Sequence, residues 1–287
     1  MSGGESKIAD TPGRFLQVVE DGRRMNDASW TSGRILLSNK RLVLVGSEGK
    51  RTVPLSDIER IEGRFDANQA IAQESNYVSL RLGDDVLLLA AKEPDAFEMS
   101  VYRALLNGEV VLARHPAVEG GVVQDTEWTK ARVQVSEELV DVALASGELV
   151  EIELDDVGTL EDTRRTVLDE ERTVLEVEHS EGGTSVQTYL SGTERHTSFL
   201  RSLLRKGEQR SAAGFDLSPA EEEVLMALYS GVSPFEIPEF VGMDVDEVEE
   251  IYERFIELEI VNEIRVRREV GLTARGRNVA SRAMNEQ

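Results

Sequence analysis

The residue types that most often carry out chemistry are sparse in this sequence. Of the three histidines, His115 precedes a proline in an expected loop, His179 ends an expected strand and His196 starts an expected helix. No two of them have the spacing of a metal-binding pair, and each is predicted to be a surface residue. The chain has no cysteine and no Gly-x-Ser-x-Gly, Walker A or Gly-x-Gly-x-x-Gly motif. We therefore predict a protein that is not an enzyme, with no metal and no cofactor.

The ionisable groups are mostly carboxylates, with 55 Asp and Glu against 32 Lys and Arg and a formal net charge of −23. Among so many carboxylates, a close pair would be weak evidence of catalysis. Acidic excess with only six Lys is typical of proteins from salt-loving microbes, because a Debye length of about 3 Å in molar salt screens self-repulsion. A field this negative opposes nucleic acid and anionic membranes. The N-terminus lacks a signal peptide and no apolar run could span a bilayer, so we expect a cytoplasmic protein without membrane insertion.

The elements that would position functional groups show an internal duplication. Trp30 and Trp128, the two tryptophans of the chain, stand 98 residues apart. They open the similar segments Trp-Thr-Ser-Gly-Arg-Ile-Leu-Leu-Ser and Trp-Thr-Lys-Ala-Arg-Val-Gln-Val-Ser. The ends of the two stretches are also similar at this offset of 98 residues. The repetition predicts two copies of one structural unit, residues 11–108 and 109–208.

Each copy has the pattern of a small antiparallel β-structure followed by a helix. In the first copy we expect strands at residues 34–37, 41–45, 51–55, 77–82 and 86–90 and a helix at 97–106. In the second copy we expect strands at residues 132–135, 139–144, 149–154, 173–178 and 185–190 and a helix at 196–204. This order predicts two tandem PH-like β-barrel and helix repeats, in which the helix closes the open end of the curved sheet.

Four bases of the first copy, Arg34, Lys40, Arg41 and Arg51, fall together on its first strands. In a PH domain this region can hold a phosphoinositide headgroup. The second copy has two glutamates at the matching turn, so the positive charge is not kept there. We do not expect lipid binding.

The pattern changes to a helical one after a polar linker at residues 206–213. Ser-Pro-Ala-Glu and Ser-Pro-Phe-Glu each predict a helix start, and Asp244 predicts a third. We expect helices at residues 218–231, 233–240 and 244–259, a two-stranded wing at 261–266 and 269–273, and a last helix at 274–284. The α+β fold therefore ends in a winged helix-turn-helix domain, residues 209–287.

Winged helices usually bind DNA, so a DNA-binding transcription regulator is the alternative interpretation. Its recognition helix would be the third, which carries eight acids and the single base Arg254. Such a face repels phosphate and releases no counterions. Arginines of the expected wing could touch phosphate, or they could pair with nearby acids. Winged helices also bind proteins, and the fold does not decide between these functions.

Over nearly its whole length the chain resembles CheF, the family of archaeal taxis adaptors. The resemblance lies in residues 34–44, 104–108 and 115–117, and most specifically in Leu-Tyr-Ser-Gly-Val-Ser-Pro-Phe-Glu-Ile-Pro at 228–238. It implies a non-enzymatic adaptor that links the phosphorylated response regulator CheY to the archaellum switch complex, and so controls rotational switching. It also implies a homodimer at the inner face of the membrane-bound motor, with CheY on the C-terminal domain.

The protein-binding surface that we predict is the second helix of the C-terminal domain with its flanks. It combines apolar residues with an acidic rim: Phe235, Glu236, Ile237, Glu239, Phe240 and Val241. Apolar anchors inside a polar rim are typical of binding hot spots. The alternative is that Phe235 and Ile237 belong to the core of the small domain. The two interpretations predict opposite burial.

Overall fold

The computed structural model describes residues 4–25, 28–47, 49–62, 76–213, 217–258 and 260–261. The chain divides into a first unit, residues 1–215, and a second unit, residues 216–287. In the described part, the first unit is built from two antiparallel sheets and two long helices, and the second from three helices. The predicted mixture of helix and sheet is confirmed.

The first sheet contains eight strands, followed by one helix. They are β1 (Lys7–Glu20), β2 (Arg23–Arg24), β3 (Thr31–Ser38), β4 (Arg41–Gly46), β5 (Gly49–Pro54), β6 (Arg60–Glu62), β7 (Val78–Leu82), β8 (Asp85–Ala91) and helix α1 (Pro94–Leu106). The strand order is β5-β4-β3-β1-β8-β7-β6, with β2 beside β1. A one-turn 3-10 helix, Leu55–Asp57, follows β5.

The second sheet repeats this plan. It contains β9 (Val110–Glu119), β10 (Val122–Val123), β11 (Thr129–Val135), β12 (Leu139–Leu144), β13 (Leu149–Glu153), β14 (Leu160–Val167), β15 (Glu170–Glu181) and β16 (Thr184–Ser191), followed by helix α2 (Glu194–Ala213). The order is β13-β12-β11-β9-β16-β15-β14, with β10 beside β9. Each strand therefore has a counterpart at the same place in the other sheet.

The central strand of each sheet, β1 or β9, is missing from the sequence prediction. Both strands contain prolines, and Pro116 of β9 follows His115 through a cis peptide bond. Proline favours loops in sequence patterns, because it cannot donate a ladder hydrogen bond. In β9 the register against β16 shifts between Gln187 and Tyr189, opposite the proline. The expectation that His115 lies in a loop is therefore wrong.

Helix α2 extends further than the sequence predicts. Residues 206–213, expected as a linker, continue it. Gly207 is a point of close approach, because a Cβ at this position would lie 2.6 Å from the carbonyl oxygen of Leu154. Glu208 accepts a hydrogen bond from the backbone N–H of Leu160 at 3.0 Å. The glycine lets the helix pack against the sheet and does not end it.

One apolar core joins the two sheets with α1 and α2. Helix α2 also makes polar contacts with the first sheet. Arg195 donates hydrogen bonds to the backbone oxygens of Ile58 and Leu55, at 2.8 and 2.7 Å. Tyr102 donates to Ser202 at 3.0 Å, and the Ser202 hydroxyl donates to the Ile61 carbonyl at 3.0 Å. The helix that follows the second sheet thus also supports the first.

The second unit contains α3 (Pro219–Tyr229), α4 (Ile237–Val241) and α5 (Val245–Glu257) in its described part. Its core is formed by Val224, Ala227, Ile237, Val248 and Phe255. The expected wing and the last helix, residues 261–266, 269–273 and 274–284, fall almost wholly outside the described residues.

Candidate protein-binding surface

Helix α3 begins at the predicted capping box. The backbone N–H of Ser218 donates to Oε2 of Glu221 at 2.7 Å, and the N–H of Glu221 donates to Oγ of Ser218 at 3.4 Å. Glu221 is buried, and its Oε1 lies 2.7 Å from Nη1 of Arg254 on α5. The hydrogen bonds from Ser218, with the charge of Arg254, hold the pKa of Glu221 below its usual value. The single base of the expected recognition helix, Arg254, therefore forms an ion pair with a carboxylate of the same unit.

Helix α4 begins at Ile237, four residues later than Ser233, where the sequence pattern places its start. Residues 233–236 form a turn, in which the N–H of Glu236 donates to the Ser233 carbonyl at 2.8 Å. The Tyr252 hydroxyl of α5 donates to the Pro234 carbonyl at 2.9 Å. Gly242, with a φ of 73°, ends the helix in the left-handed conformation. These contacts fix α4 and its flanks against α5.

The structure separates the predicted surface residues into two groups. Ile237 has no exposed surface and lies in the core, and half-buried Val241 packs against that core. Phe235 and Phe240 are 67% and 66% exposed, and both predicted rim glutamates are exposed. The candidate surface therefore retains four of the six predicted residues: Phe235, Glu236, Glu239 and Phe240.

The sequence prediction missed four exposed apolar residues of the second unit, of which Ile256 on α5 is 41% exposed. Tyr229 is 94% exposed, Met226 69% and Val245 59%. Met226 and Tyr229 are three positions apart on α3, so they share one face of that helix. The signal was present in the sequence, because α3 has more apolar residues than one buried stripe requires.

The surroundings of these apolar residues are strongly acidic. Residues 217–258 contain twelve Asp and Glu and one base, Arg254. All of these acids except Glu221 are exposed. A partner face that combines apolar side chains with bases would complement this surface. Nothing in the described part of the second unit favours binding to DNA, because an acidic helix repels phosphate.

Two of the three histidines lie close together on the second sheet. Contrary to expectation, His115 and His179 are buried. Their Nδ1 and Nε2 atoms lie 2.7 and 2.8 Å from Oγ1 of Thr188, and Nε2 of His115 lies 3.1 Å from Glu181. Burial, and then the neighbouring His115, lower the pKa of His179. Within the described ranges, no three potential ligands come together as a metal site.

Comparison with known proteins identifies the family. The protein-family model described as archaeal chemotaxis signal transduction system protein F matches residues 7–210, which is most of the chain. The chain belongs to the CheF family. Its members are taxis signal transduction proteins, and this is not a known enzyme family. A domain of unknown function matches residues 216–285.

Two proteins of Halobacterium salinarum (strain ATCC 29341 / DSM 671 / R1) are similar to this CheF-family chain over most of its length. Taxis protein CheF1 is 52% identical over 291 aligned residues that cover 100% of both chains. Taxis protein CheF2 is 24% identical over 269 aligned residues, which cover 90% of this chain and 91% of the relative. The predicted family is confirmed. No described helix is long and apolar enough to cross a membrane.

Proposed function

We propose that this CheF-family chain is a non-enzymatic taxis adaptor. It binds the phosphorylated response regulator CheY and the archaellum switch proteins, and so controls rotational switching. The observation that supports this proposal most directly is the pair of exposed phenylalanines, Phe235 and Phe240, in a unit whose core is already filled by Ile237 and its neighbours. The resemblance to the taxis adaptors extends through these positions.

Exposed aromatic residues in a small helical unit favour protein binding. Burying a phenylalanine side chain contributes about 1.5–3 kcal/mol, so each of these exposed rings offers a partner protein substantial binding energy. Aromatic residues surrounded by a polar rim are the common form of a binding hot spot. Here Glu236 and Glu239 provide that rim. We place the CheY contact on Phe235, Phe240 and these two glutamates.

The dependence on phosphorylation would come from CheY. Phosphorylation shifts a response regulator between two conformations, and an adaptor reads that shift only if it binds one of them more tightly. A tenfold preference corresponds to about 1.4 kcal/mol, which the contacts of one aromatic side chain can supply. The surface of the second unit therefore needs no moving part of its own.

We also propose the finer architecture and setting. The shared strand order of the two sheets, each followed by a helix, supports PH-like repeats at residues 11–108 and 109–208. The three helices of the second unit support a winged helix-turn-helix domain that begins after α2, within the predicted range of residues 209–287. The adaptor would act as a homodimer in the cytoplasm, at the inner face of the membrane-bound archaellum motor.

The test is a binding titration of the full chain with the host's CheY, carrying a phosphoryl mimic, in molar KCl. Phe235→Ala and Phe240→Ala should each weaken binding about tenfold or more. Val123→Ala, which truncates an apolar residue of the first unit that is 73% exposed, is the matched control and should bind normally. Equal affinities for all four proteins would contradict the proposed surface.

A further inference from the structure

The side of the first sheet that faces away from the core has an unusual composition on β3, β4 and β5. Alternate residues of these strands point into the core, among them Ile35, Leu44 and Val53. The residues between them form the opposite side. We call this the β3–β5 face, and it consists of Arg34, Leu36, Arg41, Val43, Val45, Lys50 and Thr52.

Cross-strand pairing arranges these residues in rows. Leu36 pairs with Val43, and Val43 pairs with Thr52, so two apolar side chains lie side by side in the middle row. In the next row Val45, 40% exposed, lies between Arg34 and Lys50. Three bases thus surround an apolar centre of three aliphatic residues.

The second sheet provides an internal control for this arrangement. Arg132 occupies the place of Arg34, and pairs with Ala143 as Arg34 pairs with Val45. In the next row Gln134 pairs with Asp141, and Asp141 with Glu151. The same scaffold therefore folds with a polar, acidic middle row. The apolar residues of the β3–β5 face exceed what the fold requires, which points to a role in binding.

The charge of the β3–β5 face contrasts with that of the rest of the chain. The first 54 residues contain nine of the 32 bases and six of the 55 acids. Arg34 lies 2.7 Å from Asp10, and Arg41 lies 2.7 Å from Glu5, yet the arginine side chains remain 60% and 50% exposed. Both guanidinium groups can therefore also bind carboxylates from outside, as planar five-donor groups do.

We infer that the β3–β5 face binds an acidic protein surface, and that this surface belongs to the archaellum switch proteins. The inference rests on the proposed adaptor function and names the face that contacts the motor. Leu36, Val43 and Val45 supply the buried centre, and the three bases select carboxylates at its rim. In molar salt, only charges in contact contribute, so the apolar centre provides most of the affinity and the bases provide specificity.

A membrane fits this face less well than a protein does. Leu36 and Val43 are half-buried in the middle of a strand row, so little of either side chain is available to insert among lipid chains. Outside the first 54 residues the chain is so acidic that it would repel an anionic lipid surface.

The experiment replaces the middle row by that of the second sheet. The double variant Leu36→Gln, Val43→Asp introduces the residue types of Gln134 and Asp141, which the same scaffold accommodates. The full chain is titrated with the purified switch proteins of the host in molar KCl. We expect the double variant to lose at least tenfold in affinity, and Lys50→Glu to lose several-fold. Leu149→Gln, at the Lys50 position of the second sheet and 52% exposed, should bind normally.

Three outcomes would count against this inference, and each has a different meaning. If the double variant and Lys50→Glu both bind the switch proteins like the unmodified chain, the inference is overturned and the adaptor function stands. If the unmodified chain does not bind these proteins, the motor partner and the inference fall together. Binding to vesicles of anionic phospholipid that the double variant abolishes would replace the protein partner by a membrane. CheY binding and the melting temperature, measured on the same samples, confirm that each variant is folded.

Discussion

Ile237 and Phe240 belong to one short helix and differ completely in burial. Ile237→Ala leaves a cavity among Val224, Val248 and Phe255, so the free energy of unfolding of the second unit should fall by about 2–5 kcal/mol. Phe240→Ala removes a side chain that is mostly in water, and should change it by less than about 0.5 kcal/mol. Denaturant unfolding of the full chain, followed by Tyr and Phe signals of the second unit, measures both. Similar losses in the two variants would contradict the assignment of Phe240 to the surface.

This difference could not be predicted from the residue types. Phe235, Ile237, Phe240 and Val241 are all apolar, and a five-residue helix is too short to show a buried stripe. Burial depends on α3 and α5, which pack against α4 from outside its sequence. Which members of the predicted cluster face water could be determined only from the tertiary structure.

His179 should make the stability of the first unit depend on pH. Its pKa is lowered in the folded state by burial and by His115, while an unfolded histidine titrates near about 6.5. The contribution of His179 to the free energy of unfolding is therefore constant above this pH. It decreases as the pH falls below it, because the unfolded chain binds the proton first. Leu82 occupies the equivalent position of the first sheet, so His179→Leu should be accommodated.

Thermal melts at pH 7 and pH 5 in the same KCl concentration test this prediction. The melting temperature of the unmodified chain should fall further on acidification than that of His179→Leu. The many carboxylates contribute equally to both proteins, so the difference isolates the histidine. Parallel decreases would show that His179 does not become harder to protonate on folding.

At the scale of elements, two of the three local helix-start signals predicted the observed starts, the signal at Ser233 did not, and the long-range strand pairing was missed. The capping boxes at Ser218 and Asp244 lie where the sequence places them, because their chemistry is confined to four consecutive residues. Strands β1 and β9 were missed, since their pairing partners lie far along the chain and their prolines resemble loop signals. The linker predicted at residues 206–213 is helical instead, because Gly207 admits the Leu154 carbonyl and lets α2 continue against the sheet.

Arg195 is the side chain of α2 that should matter most for joining the two sheets. It donates to the backbone oxygens of Leu55 and Ile58 and stacks on Phe199, with 5.0 Å from its Cζ to the ring centroid. Arg195→Ala leaves two carbonyl groups without these donors, which should lower the free energy of unfolding of the first unit by about 1–3 kcal/mol. Arg210→Ala, near the end of the same helix, is the control. A loss no greater than that of the control would contradict the role of Arg195.

At the scale of the whole molecule, net charge should dominate the response to salt. With a charge of −23, self-repulsion destabilises the compact state when it is not screened. The Debye length rises from about 3 Å at 1 M salt to about 10 Å at 0.1 M. The melting temperature should therefore fall on dilution from molar KCl. A melting temperature that is independent of salt would show that repulsion among the carboxylates does not limit stability.

The two units of the proposed adaptor differ in the charge of their candidate binding surfaces. The acidic helices of the second unit and the basic β3–β5 face of the first would select partners of opposite character, a basic face on CheY and an acidic face on the motor. This segregation was visible in the sequence as a count of residues. Its assignment to one side of a sheet required the strand register, which determines whether Arg34 and Leu36 face the core or the solvent.

The proposed adaptor reads the phosphorylation state of a response regulator. The most direct test is to titrate the full chain with the host's CheY in molar KCl, with and without a phosphoryl mimic. We predict binding that is at least tenfold tighter with the mimic. Binding of equal strength in both states, or no binding in either, would contradict the adaptor function.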